Sequence, residues 1–438
     1  MPMSRESQAP NPLKRPGIIW CVLFVLIFSG PPKFRVREGG AGVTEGLDLA
    51  LVVQIGIFIA VGFYLLREGR RIQLDLPQKL AVALLCTFFI SAFHSAYPAY
   101  TVFRAYQATV LFWFSASFVE RFGVREHMRW ILWAGIVTCL LVLLCIPLNP
   151  DAVLEYSETG FPRLRGIGVA GTGEVAPLLF VVAMAHRHTL RWVSVMLSAA
   201  LAFFSLSRAA WGSVALVMAL IAVWRPEVWS LRLSKIAIVG TGLFALLANA
   251  SGFIENFREP PESLVDLTGR PVIWATVADA VWTGSRWIGY GHSAASRVLT
   301  WDLDPGLGSA HSIFMDAFAG SGLIGLGITL VLALSVAVGC WKASRLAKTP
   351  DIFAVCALSA VVVALGLIGG DVDTGPFAFV YWALPTLVSK VSVQQPFEKS
   401  KVHSRASRKG LARVVKQTRV AHEDCNFVGR AEPATEDR

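Results

Sequence analysis

Three short pieces within the stretch Ser251 to Leu326 decide how the chain is read. They are Gly269-Arg270-Pro271-Val272-Ile273-Trp274, Gly284-Ser285-Arg286-Trp287-Ile288-Gly289-Tyr290-Gly291, and Ala310-His311-Ser312-Ile313-Phe314, the last running into the apolar sequence that resumes at Gly322. The stretch is polar, and almost everything on either side of it is apolar. A chain of this kind keeps so long a polar segment only if the segment has a task outside the bilayer.

Composition supports that division. Of 438 residues, 54% are hydrophobic and 16% charged, against roughly 25% charged in a soluble domain. The fold class expected is an all-α polytopic membrane protein. A hydrocarbon core of about 30 Å needs about 20 residues of helix. Read with that window, apolar runs centre on Gly17 to Gly30, Leu49 to Leu66, Leu80 to Tyr97, Ala99 to Val119, Trp130 to Leu148, Gly166 to Ala185, Leu190 to Ser207, Ala209 to Trp224, Ile236 to Phe253, Ile313 to Cys340, Ile352 to Gly369 and Pro376 to Lys390. That predicts about twelve transmembrane helices. The first is short and follows Lys14-Arg15 like a signal peptide, but no small-x-small cleavage site follows it, so it reads as an uncleaved anchor.

The organisation expected is a cytoplasmic N-terminus (1–16), helices one to nine (17–253), a large outward loop with short helices (254–310), helices ten to twelve (311–391) and a basic, disordered cytoplasmic tail (392–438). Orientation follows from Lys and Arg in the short loops. Alternate loops carry Arg67, Arg70, Arg71 and Lys79, then Arg121, Arg125 and Arg129, then Arg225, Arg232 and Lys235, and these face inward. The segment with Lys33, Arg35 and Arg37 is the one poor fit. The net charge of +10 then needs no nucleic acid, because loops and tail meet anionic membrane lipids. None of the seven cysteines lies between Ser251 and Leu307, and no CxxC suggests a metal. Many of the 14 Trp, among them Trp20, Trp130 and Trp341, stand at span ends and read as an interfacial belt.

The residues that a purely structural protein would not need lie towards the outer side. His94 and Arg104 stand near the outer ends of the third and fourth spans; Arg104 either snorkels or extends an anion site, and His94 is readily satisfied by a neighbouring helix. Arg163 and Arg165 immediately precede the sixth span, where they either pair with Asp151, Glu155 and Glu158 or bind an anion at a helix start. Glu174 lies a few residues into that span and needs a wet cavity or a base. Arg208 is fixed in the tight hairpin Phe204-Ser205-Leu206-Ser207-Arg208. Arg270, followed by proline, opens an expected helix over Val272 to Trp282 with Val272, Trp274, Val277 and Val281 as its apolar positions.

Arg165, Arg208, Arg270 and His311 are far apart in sequence but share one side of the bilayer and nearly one depth. Guanidinium forks bind phosphate oxygens bidentately and stay charged at any working pH, so the set suits a diphosphate leaving group. His311, able to be neutral near pH 7, suits a general base. Asp302-Leu303-Asp304 is only a weak match to a metal-binding aspartate pair, so a metal is not required, and no cofactor is expected.

At these residues the chain resembles the bacterial O-antigen ligase and O-antigen polymerase superfamily. The resemblance rests on Arg165-Gly166, Leu206-Ser207-Arg208, Gly269-Arg270 to Trp274, Gly289-Tyr290-Gly291, His311-Ser312-Ile313-Phe314 and Gly320-Ser321-Gly322-Leu323-Ile324-Gly325. It implies an inverting, metal-independent glycosyltransferase of the GT-C type in the bacterial inner membrane, multi-pass, acting on the periplasmic side. The donor would be an undecaprenyl diphosphate-linked glycan. The acceptor would be lipid A-core in a ligase or another lipid-linked glycan in a polymerase. Carried over, His311 would be the base, Arg208 and Arg270 would hold the diphosphate, and Arg165 would be a third member. Ser312 stands where the family often has Asn, and Gly173-Glu174 where it has an Asn in the sixth span. From another class, an anionic lipid or solute transporter would use the same arginines without chemistry, but the chain shows no internal repeat and its charges lie away from the midplane.

Overall fold

The computed structural model describes residues 15–30, 49–68, 72–156, 162–164, 172–186, 189–205, 207–224, 270–300, 310–346, 349–368, 372 and 375–393. Within them the chain is nearly all helical. The helices are α1 (Ile18–Ser29), α2 (Leu49–Glu68), α3 (Leu76–Ser91), α4 (Pro98–Phe122), α5 (Val124–Leu148), the single turn α6 (Pro150–Val153), α7 (Thr172–Ala185), α8 (Arg191–Ser205), α9 (Arg208–Trp224), α10 (Arg270–Thr283), α11 (Ala294–Leu299), α12 (Ile313–Leu346), α13 (Pro350–Ile368) and α14 (Gly375–Val393). Two three-residue strands, β1 (Leu154–Tyr156) and β2 (Pro162–Leu164), pair antiparallel, so the loop after α5 departs from the all-helical expectation. The expected ninth span and the tail from 394 onwards lie outside the described residues.

Local sequence accounts for the helix ends. At the start of α3, Pro77 sits in the first turn and the Asp75 N–H donates to Gln78 Oε1 at 2.9 Å, half of a capping box. Gly123, with φ 86°, turns the chain sharply from α4 into α5. Named contacts then fix which ends meet. At one end of the bundle Gln78 Nε2 donates to Thr386 Oγ1 (3.0 Å) and Lys390 pairs with Glu120 (2.5 Å), so α3 begins where α4 and α14 end. At the other end the His292 N–H donates to Ser91 Oγ (3.1 Å), Tyr100 and Ser293 hydroxyls lie 3.4 Å apart, and Gly366 abuts Ile313, so α3 and α13 end where α4 and α12 begin. Helices α3 and α13 therefore run opposite to α4, α12 and α14.

Among the described residues, four helices are long and apolar enough to cross a membrane: Leu76–His94, Val124–Leu148, Ile313–Leu346 and Pro350–Leu367. Shorter apolar helices accompany them at Ile18–Ser29, Gly173–Ala185, Arg191–Ser205 and Ala209–Ile221. Large apolar side chains such as Phe63, Met196 and Val223 face outward, a perimeter suited to lipid rather than water. This is a multi-pass membrane protein.

The core is aromatic. Phe24, Phe118 and Phe379 pack around His127, whose ring lies nearly parallel to Phe379 at 5.6 Å, and Phe114 packs against Phe24 and Phe379. Trp20 joins this cluster, edge-on to Phe118 and Phe122 and only 4% exposed. It therefore packs inward and is no part of an interfacial belt, whereas Trp341 is exposed as that reading expects. Because lipid tails are as apolar as side chains, such packing and interhelical hydrogen bonds hold membrane helices together, the latter at about 0.6 kcal/mol each. Ser198 Oγ to the Ala176 carbonyl (2.6 Å) and Tyr106 OH to the Phe58 carbonyl (3.1 Å) are two of them.

One break in the helical pattern shapes the rest. Gly322 (φ 62°, ψ −157°) interrupts α12, leaving Leu323 to Leu346 as a segment of about the length a bilayer needs. The break frees two carbonyls and two amides, and the segment 286–291 takes up all four. Tyr290 N–H donates to Ala319 O (2.9 Å), Gly291 N–H to Gly320 O (3.0 Å), Leu323 N–H to Arg286 O (2.8 Å) and Ile324 N–H to Trp287 O (3.4 Å). At Gly289, φ 75°, an added Cβ would stand 2.6 Å from the Gly320 backbone, so only glycine permits the approach.

Candidate active site

Helix α10 carries Arg270 as its first residue. Its buried face is Ile273, Val277 and Val281, spaced one turn apart, which packs with Ala295, Ala310, Phe318 and Ala319 of the elements around it. Val272, expected among the apolar positions, instead points outward at 54% exposed. This packing sets the start of α10 beside the start of α12. His311 occupies the short stretch just before α12, half-buried and in the left-handed region with φ 53°. Burial lowers the His311 pKa below its ordinary value of 6.5, and the Arg270 guanidinium lowers it further. Burial and that nearby cation both favour the neutral form of the imidazole.

The residue before it, Ala310, is fully buried and bonded on both sides. Trp274 Nε1, one turn after Arg270, donates to the Ala310 carbonyl at 2.8 Å, and the Ala310 N–H donates to Asp316 Oδ1 at 2.8 Å. Ser296 of α11 also donates its hydroxyl to Asp316. The sequence reading passed over Asp316, although its position one turn beyond Ser312 was a usable signal; the Asp316 N–H donates to the Ser312 carbonyl at 2.8 Å. It also missed His292, which is 2% exposed and lies flat against Phe88.

The other expected residues are distributed as follows. Arg208 opens α9 directly after Ser207, and its side chain lies outside the described part. Gly173, in the first turn of α7, approaches that same hairpin, its Cβ position being 2.8 Å from Ser207 Cβ, which sets half-buried Glu174 close to it. Arg163 stands in β2 with its backbone opposite Glu155, and both side chains lie outside the described part. Arg165 lies outside the described residues. Arg104 is 7% exposed, donates from Nη1 to Gln107 Oε1 at 3.0 Å and lies 5.0 Å from the Tyr100 ring centre, so it turns inward instead of snorkelling. His94 is exposed at the end of a 3-10 turn. The described structure thus brings Arg270 and His311 together and sets the Glu174 turn against the hairpin that leads to Arg208. Among the described residues no group of three or more His, Cys, Asp or Glu is placed to hold a metal ion.

A cation beside a neutral imidazole at the mouth of a membrane helix is an arrangement for binding an anion and taking up a proton. Residues 193–330 match the O-antigen ligase family. The O-antigen ligase match runs from within α8 to within α12, so it includes Arg208, Arg270 and His311 and leaves out Arg104, Arg163, Arg165 and Glu174. It supports an enzyme that transfers lipid-linked glycans in a membrane. A solved structure titled "Structural coordination of polymerization and crosslinking by a peptidoglycan synthase complex" aligns with 74% of this chain and 98% of its own at 15% identity, with a TM-score of 0.37. No curated protein matches the chain.

Proposed function

We propose that the protein is an inverting, metal-independent glycosyltransferase that moves a glycan from an undecaprenyl diphosphate carrier to a sugar hydroxyl at the periplasmic face of the bacterial inner membrane. The observation that carries this reading is that the Trp274 bond to Ala310 sets the start of α10, with Arg270, beside His311 at the start of α12, within residues 193–330 that match the O-antigen ligase family. The acceptor oxygen attacks the anomeric carbon from the face opposite the diphosphate, and its proton passes to His311. The bond from the anomeric carbon to the phosphate oxygen breaks, and its electron pair leaves with the polyprenyl diphosphate. Arg270, with Arg208 and Arg165, meets the charge that grows on that leaving group. Two reactants held in the plane of the bilayer need little further ordering.

In this reading residues 254–310 form a periplasmic loop over the site and 392–438 a cytoplasmic tail against anionic lipid. The acceptor of choice is lipid A-core, as in a ligase; a lipid-linked repeat unit would make the enzyme a polymerase. The test is transfer by membranes carrying the wild type, His311→Ala or Arg208→Ala, with both acceptors offered. Transfer by the wild type and loss in both folded variants is the expected result, and the productive acceptor separates ligase from polymerase. Undiminished transfer by His311→Ala would overturn the assignment.

A further inference from the structure

His311 holds a backbone conformation, φ 53°, that a residue with a Cβ adopts only at a cost. Such a conformation persists where the surroundings fix it from several directions. Here the peptide units on both sides of Ala310 are gripped by side chains from two different helices. Trp274 reaches from α10 to the Ala310 carbonyl, and Asp316 reaches back from the first turn of α12 to the Ala310 N–H, each at 2.8 Å. Ser296, from α11, donates to the same carboxylate oxygen. Two elements separated in sequence therefore converge on the residue that precedes the imidazole, and a third holds the carboxylate of one of them.

We infer that Trp274 and Asp316 are positioning residues for His311: together they clamp the Ala310 peptide groups and so hold the imidazole at the mouth of α12 facing Arg270. The inference rests on the glycosyltransferase reading for its kinetic consequence, but the clamp itself is a statement about where His311 stands. Neither residue needs to touch substrate. Their shared target explains why a tryptophan with a free indole N–H follows Arg270 by one turn, and why a carboxylate sits in the first turn of an apolar helix, where it also complements the positive end of the dipole. An apolar residue at either place would pack but would leave a buried backbone group without its bond.

The test uses the full chain in lipid nanodiscs, with Trp274→Phe, Asp316→Ala and Asp316→Asn. Phenylalanine keeps the ring and removes the donor; asparagine keeps an oxygen that accepts from the Ala310 N–H, and alanine does not. Two quantities are read: kcat and KM for the polyprenyl diphosphate donor, and the rate at which diethyl pyrocarbonate acylates His311, followed by mass spectrometry of its peptide. Trp274→Phe and Asp316→Ala should lower kcat at least tenfold while donor KM stays within twofold, and should speed His311 acylation at least threefold. Asp316→Asn should recover most of both. Wild-type kcat and wild-type acylation rates in Trp274→Phe and Asp316→Ala would overturn the clamp. Should the wild type itself transfer no glycan, the functional reading fails and acylation alone decides: faster modification in those two variants upholds the clamp, an unchanged rate overturns it.

Discussion

The amide of Leu323 donates to the carbonyl of Arg286 at 2.8 Å, across a break in a membrane helix. In an unbroken helix that amide would bond to the carbonyl four residues earlier, Ala319, which instead accepts from Tyr290. The polar segment and the membrane helix are therefore joined by main-chain hydrogen bonds, and what orders one orders the other. Both meet at glycines that the sequence placed at Gly289, Gly291, Gly320 and Gly322.

Gly322→Ala should be costly. Its φ and ψ fall in a region open almost only to glycine, at about 1–3 kcal/mol for another residue, and an added Cβ would run into the Trp287 backbone. The thermal midpoint in detergent should drop, and glycan transfer should drop with it. A variant as stable and as active as the wild type would show that the break is not needed.

The pH dependence follows from His311. Its pKa lies below 6.5, first because it is buried and second because of Arg270. The basic form therefore survives to lower pH than in a free imidazole, and the acid limb of kcat/KM should have its midpoint below that of an ordinary histidine. Removing the cation in Arg270→Gln takes away a cause of the lowering, so the midpoint should move up. A pH–rate profile measures both, and an unmoved midpoint would separate Arg270 from His311.

His292 tests ring packing against hydrogen bonding by the imidazole nitrogens. Its ring stacks on Phe88 with centroids 3.6 Å apart and planes 6° from parallel. If stacking is what the residue supplies, His292→Phe should keep the thermal midpoint near the wild-type value while His292→Ala lowers it, the loss being a transfer and cavity term of a few kcal/mol at most. Equal destabilisation by both would show that the imidazole nitrogens matter more than the ring.

At the far end of the bundle, Arg121 pairs with Glu68, and each side chain is 29% exposed. Partly solvated pairs contribute roughly 0–1 kcal/mol. Glu68→Gln should thus shift stability little and leave transfer intact, which chemical denaturation and the transfer assay would register together. A loss beyond about 2 kcal/mol would contradict this.

Much of the architecture was legible in the sequence. Apolar runs of span length and the proline after Arg270 each act over a few residues, through solvent transfer and backbone geometry. Helix α10 was expected over Val272 to Trp282 and is found at Arg270–Thr283; the hairpin before Arg208 is as tight as its sequence suggested. Which way Trp20, Val272 and Arg104 turn was not legible, because facing is set by neighbours rather than by distance from a helix end.

By itself the sequence determined that this chain is a multi-pass membrane protein, and it singled out Arg270 and His311 as candidates for one site. Only the tertiary structure decided that His311 stands beside Arg270, that Trp274 and Asp316 close on the Ala310 backbone, and that the polar segment replaces a turn of α12. Hydrophobicity and charge depend on residue type and can be read along a line. A hydrogen bond between positions 274 and 310, or 286 and 323, depends on directions and distances that exist only after helices from distant parts of the chain have packed together.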